Sequence, residues 1–519
     1  MQMERVPIIK ITDEYKEFLS DESKSIGRAE TISFPGNEDD IRDILFDNKY
    51  RFKNITIQGN LTGISGGAVP QTGHILNLSK MNKIIGMSYN KEKDYFSLKV
   101  QPGVLLEDLN HKIMSKNFDT NGWSEESKEC LEIFKKSGEK IFPPDPTETL
   151  ASVGGMVACN ASGACSYHYG PTRRYVESLK VITPDDELCL VRGGKKYLEI
   201  KLPSINYNIL DIKNVAGYYY KVDMDLIDLF IGSEGTLGVI SEIEIRLINK
   251  PQFSLGILMF FEKEDKALEF VKWLRLENKY NDLPQIVKKP VAIEYFNKDC
   301  FDLIKQYRNI KTTLKNLPEI NENITTGIYV EFQENKEEDI DNILQMLFDG
   351  GVYFESEEGT EWVALDSMDY NKLKMFRHAV PECVNIEIDK IKRLCKNIKK
   401  IGTDMAVSNE YMNRVINMYE CDLRDKRLNS VMFGHIGDNH IHVNIIPKNQ
   451  NEYNEGQKIV SKWAEEIVKM KGTITAEHGV GTLKLDLFKQ MIDKENVENL
   501  QKIKKFYDKR LILNKGIIF

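Results

Sequence analysis

The segment at residues 433–442, with the sequence FGHIGDNHIH, constrains the fold of this chain more than any other stretch. It places His440 and His442 two residues apart and leads into the strand-favouring run IHVNII. Because side chains alternate between the two faces of a strand, we expect a strand that presents both imidazoles on one face. The backbone of such a strand must pair with neighbours, so the segment predicts a β-sheet that carries a polar site.

Histidines are concentrated around this segment. The chain has only eight, and four of them, His435, His440, His442 and His478, fall within residues 435–478. Glu477 directly precedes the last one. Two imidazoles and a carboxylate suit a divalent transition metal with an open coordination position. Any one of these histidines alone would more often be a hydrogen-bonded residue at a strand end or turn, but their clustering favours a site.

Length and charge narrow the class of protein. A chain of 519 residues is too long for one ordinary core, so two or three domains are expected. The net charge of −8 comes without a basic stripe, which argues against nucleic acid as the main partner. The sequence contains neither a secretory signal nor a run of about 18 apolar residues, so we expect a soluble cytoplasmic protein. Peripheral contact with a membrane stays open.

The eight cysteines are scattered along the chain and form no CxxC pair. This spacing argues against an iron–sulfur cluster and is simplest to interpret as reduced thiols. If the protein transfers electrons, they must therefore leave through a separate partner.

Apolar periodicity predicts α+β structure in the first half of the chain. The predicted elements here are helices at 38–47 and 106–114 and strands at 55–57, 75–78, 97–100, 178–183, 198–201 and 243–248. The charged stretch 125–129 is interpreted as part of a surface insertion. Pro251 follows the last strand and marks the best domain boundary.

The second half changes character after this boundary. The predicted elements are helices at 263–278 and 337–348, strands at 292–296 and 327–332, and a charged helix within 490–519. Their order favours an antiparallel sheet with helices on one face.

Three glycine-rich tracts lie at residues 59–67, 143–163 and 232–240. The first follows a predicted strand and offers consecutive backbone N–H groups to phosphate oxygens, because glycine permits the tight turns that this needs. It is no Rossmann loop, since Pro70 follows in place of a helix. The second has a proline-stiffened lead-in and leaves room for a flat ring, although a tightly packed small-residue helix is an equal alternative. Together the tracts favour a large dinucleotide.

Six segments of the chain resemble, in order, the signatures of the FAD-linked D-2-hydroxyacid dehydrogenases. They are residues 59–70, 144–170, 232–240, 434–442, 477–479 and 513–516. That group includes D-lactate dehydrogenase, the glycolate oxidase flavoprotein subunit and D-2-hydroxyglutarate dehydrogenase, within the vanillyl-alcohol-oxidase-like flavoproteins. The resemblance covers nearly the whole chain outside residues 111–140 and 278–360.

The resemblance implies the architecture. We expect an α+β protein with a PCMH-type FAD-binding domain of two subdomains at residues 1–250 and an antiparallel-sheet substrate cap at 251–470. The C-terminal segment 471–519 would return to complete the FAD site and the active site.

The resemblance also implies which residues bind FAD. The pyrophosphate would be wrapped by Gln58, Gly59, Asn60, Leu61, Thr62 and Gly63. The adenine, ribose and isoalloxazine would be lined by Pro144, Gly154, Gly155, Asn160, Gly163, Glu234, Gly238 and Ile240, with Asn514 closing the flavin. Some relatives tether FAD through a histidine in the first loop. No histidine occurs between Ile55 and Pro70, so noncovalent FAD is expected.

Six further residues match the family's active site. Arg377 matches the arginine that binds the substrate carboxylate, although its sequence context alone would favour an ordinary surface arginine on a helix. By the same likeness His435, His442 and Glu477 would hold a divalent metal (Zn, Mn or Fe), Asn444 would contact substrate, and His478 would accept the hydroxyl proton.

Three departures from the family pattern stand out. His440 occupies a position in the usual Gly-Asn pair and could be a third nitrogen ligand, a partner of a ligand or a substrate contact. The tail has Asn514-Lys515-Gly516 where Asn-Pro-Gly is usual. Gly402-Thr403 precedes Asp404 where some 2-hydroxyglutarate enzymes have a lysine, which disfavours a dicarboxylic substrate.

The resulting hypothesis is an FAD-dependent dehydrogenase of a small D-2-hydroxy acid, with D-lactate or a close analogue as the leading substrate. Electrons would pass to electron-transfer flavoprotein, a quinone or an iron–sulfur subunit. The alternatives are the same chemistry on glycolate or D-2-hydroxyglutarate, and non-redox group transfer of the alkylglycerone-phosphate synthase kind. A non-catalytic FAD- or metal-dependent subunit of a larger complex is a further alternative, and a homodimer is compatible with the sequence.

Overall fold

The computed structural model describes residues 6–46, 52–207, 212–277, 280, 283, 284, 286, 288–311, 314, 315, 317, 319–395 and 397–518. The strands in these ranges are β1 Ile9–Lys10, β2 Thr31–Ser33, β3 Ile55–Gln58, β4 His74–Asn77, β5 Ile84–Asn90, β6 Tyr95–Val100, β7 Lys140–Ile141, β8 Val176–Ile182, β9 Glu187–Val191, β10 Val239–Arg246, β11 Ile248–Asn249, β12 Phe253–Phe261, β13 Ala292–Asn297, β14 Thr326–Glu334, β15 Trp362–Ala364, β16 Ile401–Gly402, β17 Ser430–His435 and β18 His440–Ile445. The helices are α1 Glu38–Phe46, α2 Leu106–Ser115, α3 Glu125–Lys136, α4 Val153–Cys159, α5 Ser166–Tyr169, α6 Ile227–Phe230, α7 Glu264–Leu274, α8 Lys298–Arg308, α9 Glu337–Tyr353, α10 Ser367–Leu394, α11 Met412–Lys426, α12 Gln450–Lys469, α13 Leu485–Met491 and α14 Lys494–Tyr507.

Two sheets make up the first half of the chain. A four-stranded sheet has the order β1-β2-β4-β3, with β4 parallel to both β2 and β3. A five-stranded antiparallel sheet has the order β5-β6-β10-β8-β9. The apolar side chains of β3 and β4 and of α1 pack into one core with Val239 of β10, so the two sheets lie against each other. The two subdomains that were expected before residue 250 are present.

The C-terminal segment returns to the first sheet. Leu513 forms a parallel bridge with Ile55, and the N–H of Ile55 donates to the carbonyl of Ile512 at 2.7 Å. The side chain of Asn514 accepts from the N–H of Ile57 at 2.7 Å and donates to the carbonyl of Glu234 at 2.6 Å. The expected return of the chain end is therefore confirmed, with Asn514 linking the first and third glycine-rich tracts.

The second half is built on a seven-stranded antiparallel sheet of order β15-β12-β14-β13-β17-β18-β16. The expected antiparallel sheet is thus confirmed. Its β17–β18 hairpin pairs His435 with His440 and Phe433 with His442. His440 and His442 are alternate residues of β18, as the sequence pattern predicted.

Some predicted elements were wrong. Residues 198–201 are not a strand, because Tyr197–Ile200 is a 3₁₀ helix whose Tyr197 ring fills a buried position. The charged stretch at 125–129, interpreted as part of a surface insertion, lies at the surface and forms the start of α3, whose other face buries Cys130, Leu131 and Phe134. Helix α8 was not predicted, although its buried residues Cys300, Phe301, Leu303, Ile304 and Tyr307 follow helical spacing.

The described residues contain no helix that is both long and apolar enough to cross a membrane. All eight cysteines lie in the described ranges, and none is paired in a disulfide.

Candidate metal centre and active site

The histidine cluster is assembled from one hairpin and one loop. His435 ends β17, the turn at Ile436–Asp438 follows, and His440 and His442 belong to β18. Asn439 closes the turn at φ 53°, a left-handed conformation that asparagine tolerates better than most residues. The loop between α12 and α13 brings Glu477 and its neighbour to the same place. The structure therefore gathers residues 435–442 and 477–478 into one cluster.

The Nδ1 atoms of His435 and His442 are held by hydrogen-bonding partners. His435 Nδ1 lies 2.6 Å from Glu294 Oε1, and His442 Nδ1 lies 3.1 Å from the carbonyl of Thr403. Their Nε2 atoms face the two oxygens of Glu477, at 3.4 and 3.3 Å. A carboxylate or carbonyl behind an imidazole is the usual support of a metal-binding histidine, so the donor set fits a transition metal.

The carboxylate of Glu477 is buried and surrounded by positive groups. Lys213 Nζ lies 2.5 Å from Oε2, and the Ser162 hydroxyl donates to the same oxygen at 3.3 Å. Burial opposes its ionisation, but the charges of Lys213 and His435 outweigh this and hold the pKa of Glu477 well below its usual range. Glu477 is therefore anionic at neutral pH.

The charge of His435 depends on its two carboxylate neighbours. Burial opposes the charged form, but the carboxylate of Glu294 outweighs it and raises the pKa of His435 to about 9. Burial lowers the pKa of His442. Without a metal the cluster is thus held together by one imidazolium between two carboxylates.

Asp404 organises the other side of the cluster. Its carboxylate contacts Lys484 Nζ, accepts from the Thr475 hydroxyl at 2.6 Å and lies 3.3 Å from His478 Nδ1. Burial opposes ionisation, yet the charges of His478 and Lys484 hold the pKa of Asp404 well below its usual range. Asp404, Glu477 and His478 are also close enough to share a cation. Because Lys484 already neutralises Asp404, we interpret this carboxylate as the support of His478 and not as a ligand.

Arg377 lies on α10, whose N-cap Asp366 accepts from the N–H groups of Met368 and Asp369. Its guanidinium stacks over the Tyr329 ring, with Cζ 5.1 Å from the ring centre. Among the described residues, no carboxylate forms an ion pair with it. Burial lowers the pKa of Arg377, but Glu294 and its neighbours outweigh this and raise it above the usual value. The same Glu294 supports His435, so its carboxylate acts electrostatically on both Arg377 and His435.

Asn444 lies two residues beyond His442 on the same face of β18 and is buried. Its Oδ1 packs against Gly402 of the neighbouring strand. The strand therefore continues the face of the cluster with an amide.

The first glycine-rich loop has the property that a phosphate site needs. Of the described residues, none accepts a hydrogen bond from the backbone N–H groups of residues 60–67. The loop is held by side chains instead: Gln58 donates to the carbonyls of Phe18 and Ala68, and Asn60 donates to that of Leu150. Leu61 adopts φ 60°. Consecutive unused amides on an anchored loop fit the pyrophosphate of a dinucleotide.

The second tract is used differently. Ser152 caps α4 by accepting from the N–H of Gly155 at 3.2 Å, and Gly59 approaches the same hydroxyl. A Cβ on Gly163 would lie 2.1 Å from the carbonyl of Asp145. Asn160 ends the helix in the left-handed region and accepts from the N–H of Arg173. The tightly packed small-residue helix, one of the two alternatives, is therefore what forms at 153–159.

The remaining residues that were predicted to contact the flavin are either hydrogen-bonded to another part of the chain or packed in the interior. Glu234 Oε1 and Oε2 accept from the N–H groups of Val480 and Gly481, each at 2.8 Å. Burial raises the pKa of Glu234 to about 7 against these two donors. Gly238 packs on Val181, while Pro144 and Ile240 are buried. Glu234 therefore fastens the loop of Glu477 and His478 to the first half of the chain.

Four polar residues of the site were missed by sequence reasoning. They are Lys213, Glu294, Asp404 as a hydrogen-bonding centre, and Lys484. Glu294 had a signal, since it is the one charged residue in the apolar strand run AIEYF. Lys213 and Lys484 had no such signal, because a sequence does not show which of its lysines packs against a buried carboxylate.

Comparison with known proteins gives a consistent result. A family model described as the C-terminal domain of FAD-linked oxidases matches residues 262–518, and an FAD-binding domain model matches residues 29–121 and 134–191.

Curated relatives align along most of the chain. A D-lactate dehydrogenase of Anaerostipes hadrus is 27% identical and covers 89% of this chain and 84% of its own length. The glycolate oxidase subunit GlcD of Bacillus subtilis is 26% identical, with 94% and 89% covered. A D-2-hydroxyglutarate dehydrogenase of Stutzerimonas stutzeri is 24% identical, with 89% and 84% covered.

A solved structure of an alkyldihydroxyacetonephosphate synthase superposes with a TM-score of 0.60 at 15% identity, covering 94% of this chain and 76% of that one. At this identity the match shows the fold alone.

Proposed function

Since the chain belongs to the family of FAD-linked oxidases, we propose that it oxidises a small D-2-hydroxy acid, with D-lactate or a close analogue as the preferred substrate, to the 2-oxo acid. One observation carries the proposal. Three imidazoles, those of His435, His442 and His478, point Nε2 at the carboxylate of Glu477 while a buried group fixes each Nδ1.

Each residue of the site has a separate role in binding or activating the substrate in this proposal. A divalent metal, Zn²⁺, Mn²⁺ or Fe²⁺, would be held by His435, His442 and Glu477 and would lower the pKa of the substrate hydroxyl. Arg377 would bind the substrate carboxylate, because a planar guanidinium without a carboxylate partner among the described residues suits a planar anion. Asn444 would contact the substrate from the same face of β18.

His478 is the residue proposed to take the hydroxyl proton. Its side chain is 28% exposed, so it is more accessible than the other members of the cluster. Asp404 lies behind its Nδ1 at 3.3 Å and would stabilise the imidazolium that forms when Nε2 accepts the proton. FAD, when bound, supplies the acceptor for the hydride of the substrate carbon.

FAD binding is proposed to be noncovalent. The support is the loop at 60–67 with its unused amides and the absence of a histidine between Ile55 and Pro70. Acid precipitation of the purified protein should release the yellow cofactor into the supernatant. Colour that stays with the pellet would show a covalent link instead.

The preference for a monocarboxylate rests on the residues before Asp404. Gly402-Thr403 stands where a second positive group would be needed, and Lys484, which does reach Asp404, is engaged by Asp404 and Thr475. The curated relatives carry names of D-lactate, glycolate and D-2-hydroxyglutarate enzymes, so the comparisons alone do not choose.

Anaerobic titration with a panel of D- and L-2-hydroxy acids tests the proposal directly. We expect D-lactate to bleach the flavin band at lower concentration than glycolate or D-2-hydroxyglutarate, and L-lactate to be the poorest. A flavin that no hydroxy acid reduces would contradict the proposed function and favour group transfer or a non-catalytic subunit.

The reduced flavin must then be reoxidised by a separate protein or a quinone. We propose an electron-transfer flavoprotein, a quinone or an iron–sulfur subunit as acceptor, because the scattered cysteines offer no cluster of their own. Stopped-flow reoxidation with each acceptor class would rank them.

A further inference from the structure

His440 is the member of the histidine cluster that the ligand set His435, His442 and Glu477 leaves unused. Its side chain is 0% exposed, and neither ring nitrogen forms a hydrogen bond with any described residue. A buried polar group without a partner destabilises the folded protein. An imidazole in this state, inside a cluster of metal-binding residue types, points to a group that completes it.

The surroundings of His440 show what that group must be. Nε2 lies 3.0 Å from Asp404 Oδ1, although the direction does not meet hydrogen-bond geometry. Nδ1 lies 3.9 Å from Glu477 Oε2, too far for a hydrogen bond. One nitrogen of His440 and one donor atom each of His435, His442 and Glu477 all lie within 4.8 Å of one another. A single cation can therefore reach all four.

We propose that His440 is a fourth protein ligand of the metal, bound through Nδ1, and that metal binding aligns its Nε2–H with Asp404 Oδ1, which already lies 3.0 Å away. This inference rests on the proposed metal site and extends its ligand set. A carboxylate behind the ring is the usual support of a metal-binding imidazole, and Asp404 provides it. Asp404 is then a positioning residue for both His440 and His478, because its two oxygens lie next to one ring each.

The fourth ligand has chemical consequences. Three imidazoles and one carboxylate select a first-row transition metal over Mg²⁺ or Ca²⁺, which prefer oxygen ligands. A metal held by these four residues would retain few further positions, and a 2-hydroxy acid could offer two oxygens to them through its hydroxyl and carboxylate. The set would thus hold the substrate in one orientation where three ligands would leave one position more for water.

The ligand count can be measured without turnover. Chelator-treated, FAD-loaded protein is titrated with Co²⁺, and X-ray absorption at the cobalt edge counts the imidazoles. We expect three in the natural protein and two in His440→Asn, with a Co²⁺ dissociation constant raised at least about 10-fold. His74→Asn is the matched control, because His74 is equally buried but hydrogen-bonded to Thr31 and Ser33, so it should leave cobalt binding unchanged.

The outcomes separate this inference from the metal site itself. Two imidazoles in the natural protein, together with unchanged Co²⁺ affinity in His440→Asn, would overturn the fourth ligand and leave the three-ligand site intact. Natural protein that binds no Co²⁺, or binds it equally well after His435→Ala, would overturn the metal site. If His440→Asn fails to retain FAD, the imidazole count of the natural protein still decides.

Discussion

The first glycine-rich loop and the histidine cluster are two binding regions built on opposite principles. The loop at 60–67 offers backbone amides that no described residue uses, and it is held by Gln58 and Asn60 from outside. The cluster consists of side chains from β13, β17, β18 and one loop, and it carries most of the buried charge of the site. A backbone site depends on the path of the chain, whereas a side-chain site depends on the identity of each residue.

The difference teaches where single substitutions act. In the cluster every charge is balanced by another, so removing one group leaves its partner buried and unpaired. In the loop most side chains can change as long as the backbone keeps its course. Changes in the cluster should therefore stop chemistry with FAD still bound, while changes in the loop should weaken FAD with the metal still bound.

The largest effect is expected from removing the proposed metal or one of its proposed ligands. Chelation, His435→Ala or His442→Ala should lower the rate of flavin reduction by substrate about 1000-fold or more, since loss of a Lewis acid removes several kcal/mol of stabilisation. FAD content should stay at the level of the natural protein, because the unused amides lie on a different loop. Metal analysis and anaerobic stopped-flow spectra measure both. If the variants keep the metal and full activity, the cluster has a structural role only, and the contrast between it and the first glycine-rich loop does not hold.

Arg377→Ala should have the next largest effect. We expect kcat/KM for the best hydroxy acid to fall about 100-fold, since removing one side of a desolvated charged contact costs roughly 3 kcal/mol. Arg377→Lys should recover only part, because an ammonium cannot form the two parallel hydrogen bonds of a guanidinium. Flavin absorbance in the untreated variants serves as the control. Unchanged kinetic constants would remove Arg377 from the substrate site.

Two glycines, Gly63 and Gly163, distinguish a cofactor loop from a tightly packed segment. A Cβ on Gly63 would meet only Asp21 Oδ2, at 4.0 Å, whereas one on Gly163 would collide with the Asp145 carbonyl. Gly63→Ala should therefore keep the Tm of the FAD-free protein but weaken FAD about 10-fold, roughly 1.4 kcal/mol. Gly163→Ala should lower the Tm of the FAD-free protein. Thermal melts and FAD titrations of both variants measure this, and equal behaviour of the two would mean that both tracts are packing elements.

The remaining expected effect is a pH dependence of the stability of the first sheet. Burial lowers the pKa of His74 to about 3, from an unfolded value near 6.5. The unfolded chain thus binds the proton more tightly, and the stabilisation is present above pH 6.5 and lost as pH falls towards 3. At pH 5 the loss is about 2 kcal/mol. Chemical denaturation at pH 7 and pH 5 should show this difference in the natural protein and less of it in His74→Gln. An equal loss in both proteins would assign the acid sensitivity to other groups.

The sequence predicted those structural features of this protein that depend on a local pattern of residues. The strand with His440 and His442, the antiparallel sheet around it and the return of the C-terminal segment to the first half of the chain were predicted and are present. The strand predicted at 198–201 was wrong because Tyr197–Ile200 forms a short 3₁₀ helix. A short apolar run does not distinguish a strand from a short helix. Domain boundaries and the roles of the site residues stay predictions.

The sequence by itself determined the FAD-linked family, the order of the glycine-rich tracts and the residue types of the cluster, because these are encoded by neighbours in the chain. Only the tertiary structure decided which charges meet: Glu294 behind His435, Lys213 on Glu477, and Asp404 between His440 and His478. These partners are separated by 36 to 264 residues in the chain. Electrostatic contacts act through space over a few ångströms, so no local pattern records them, and the properties of the site arise from the packing of the second-half sheet against the C-terminal loop.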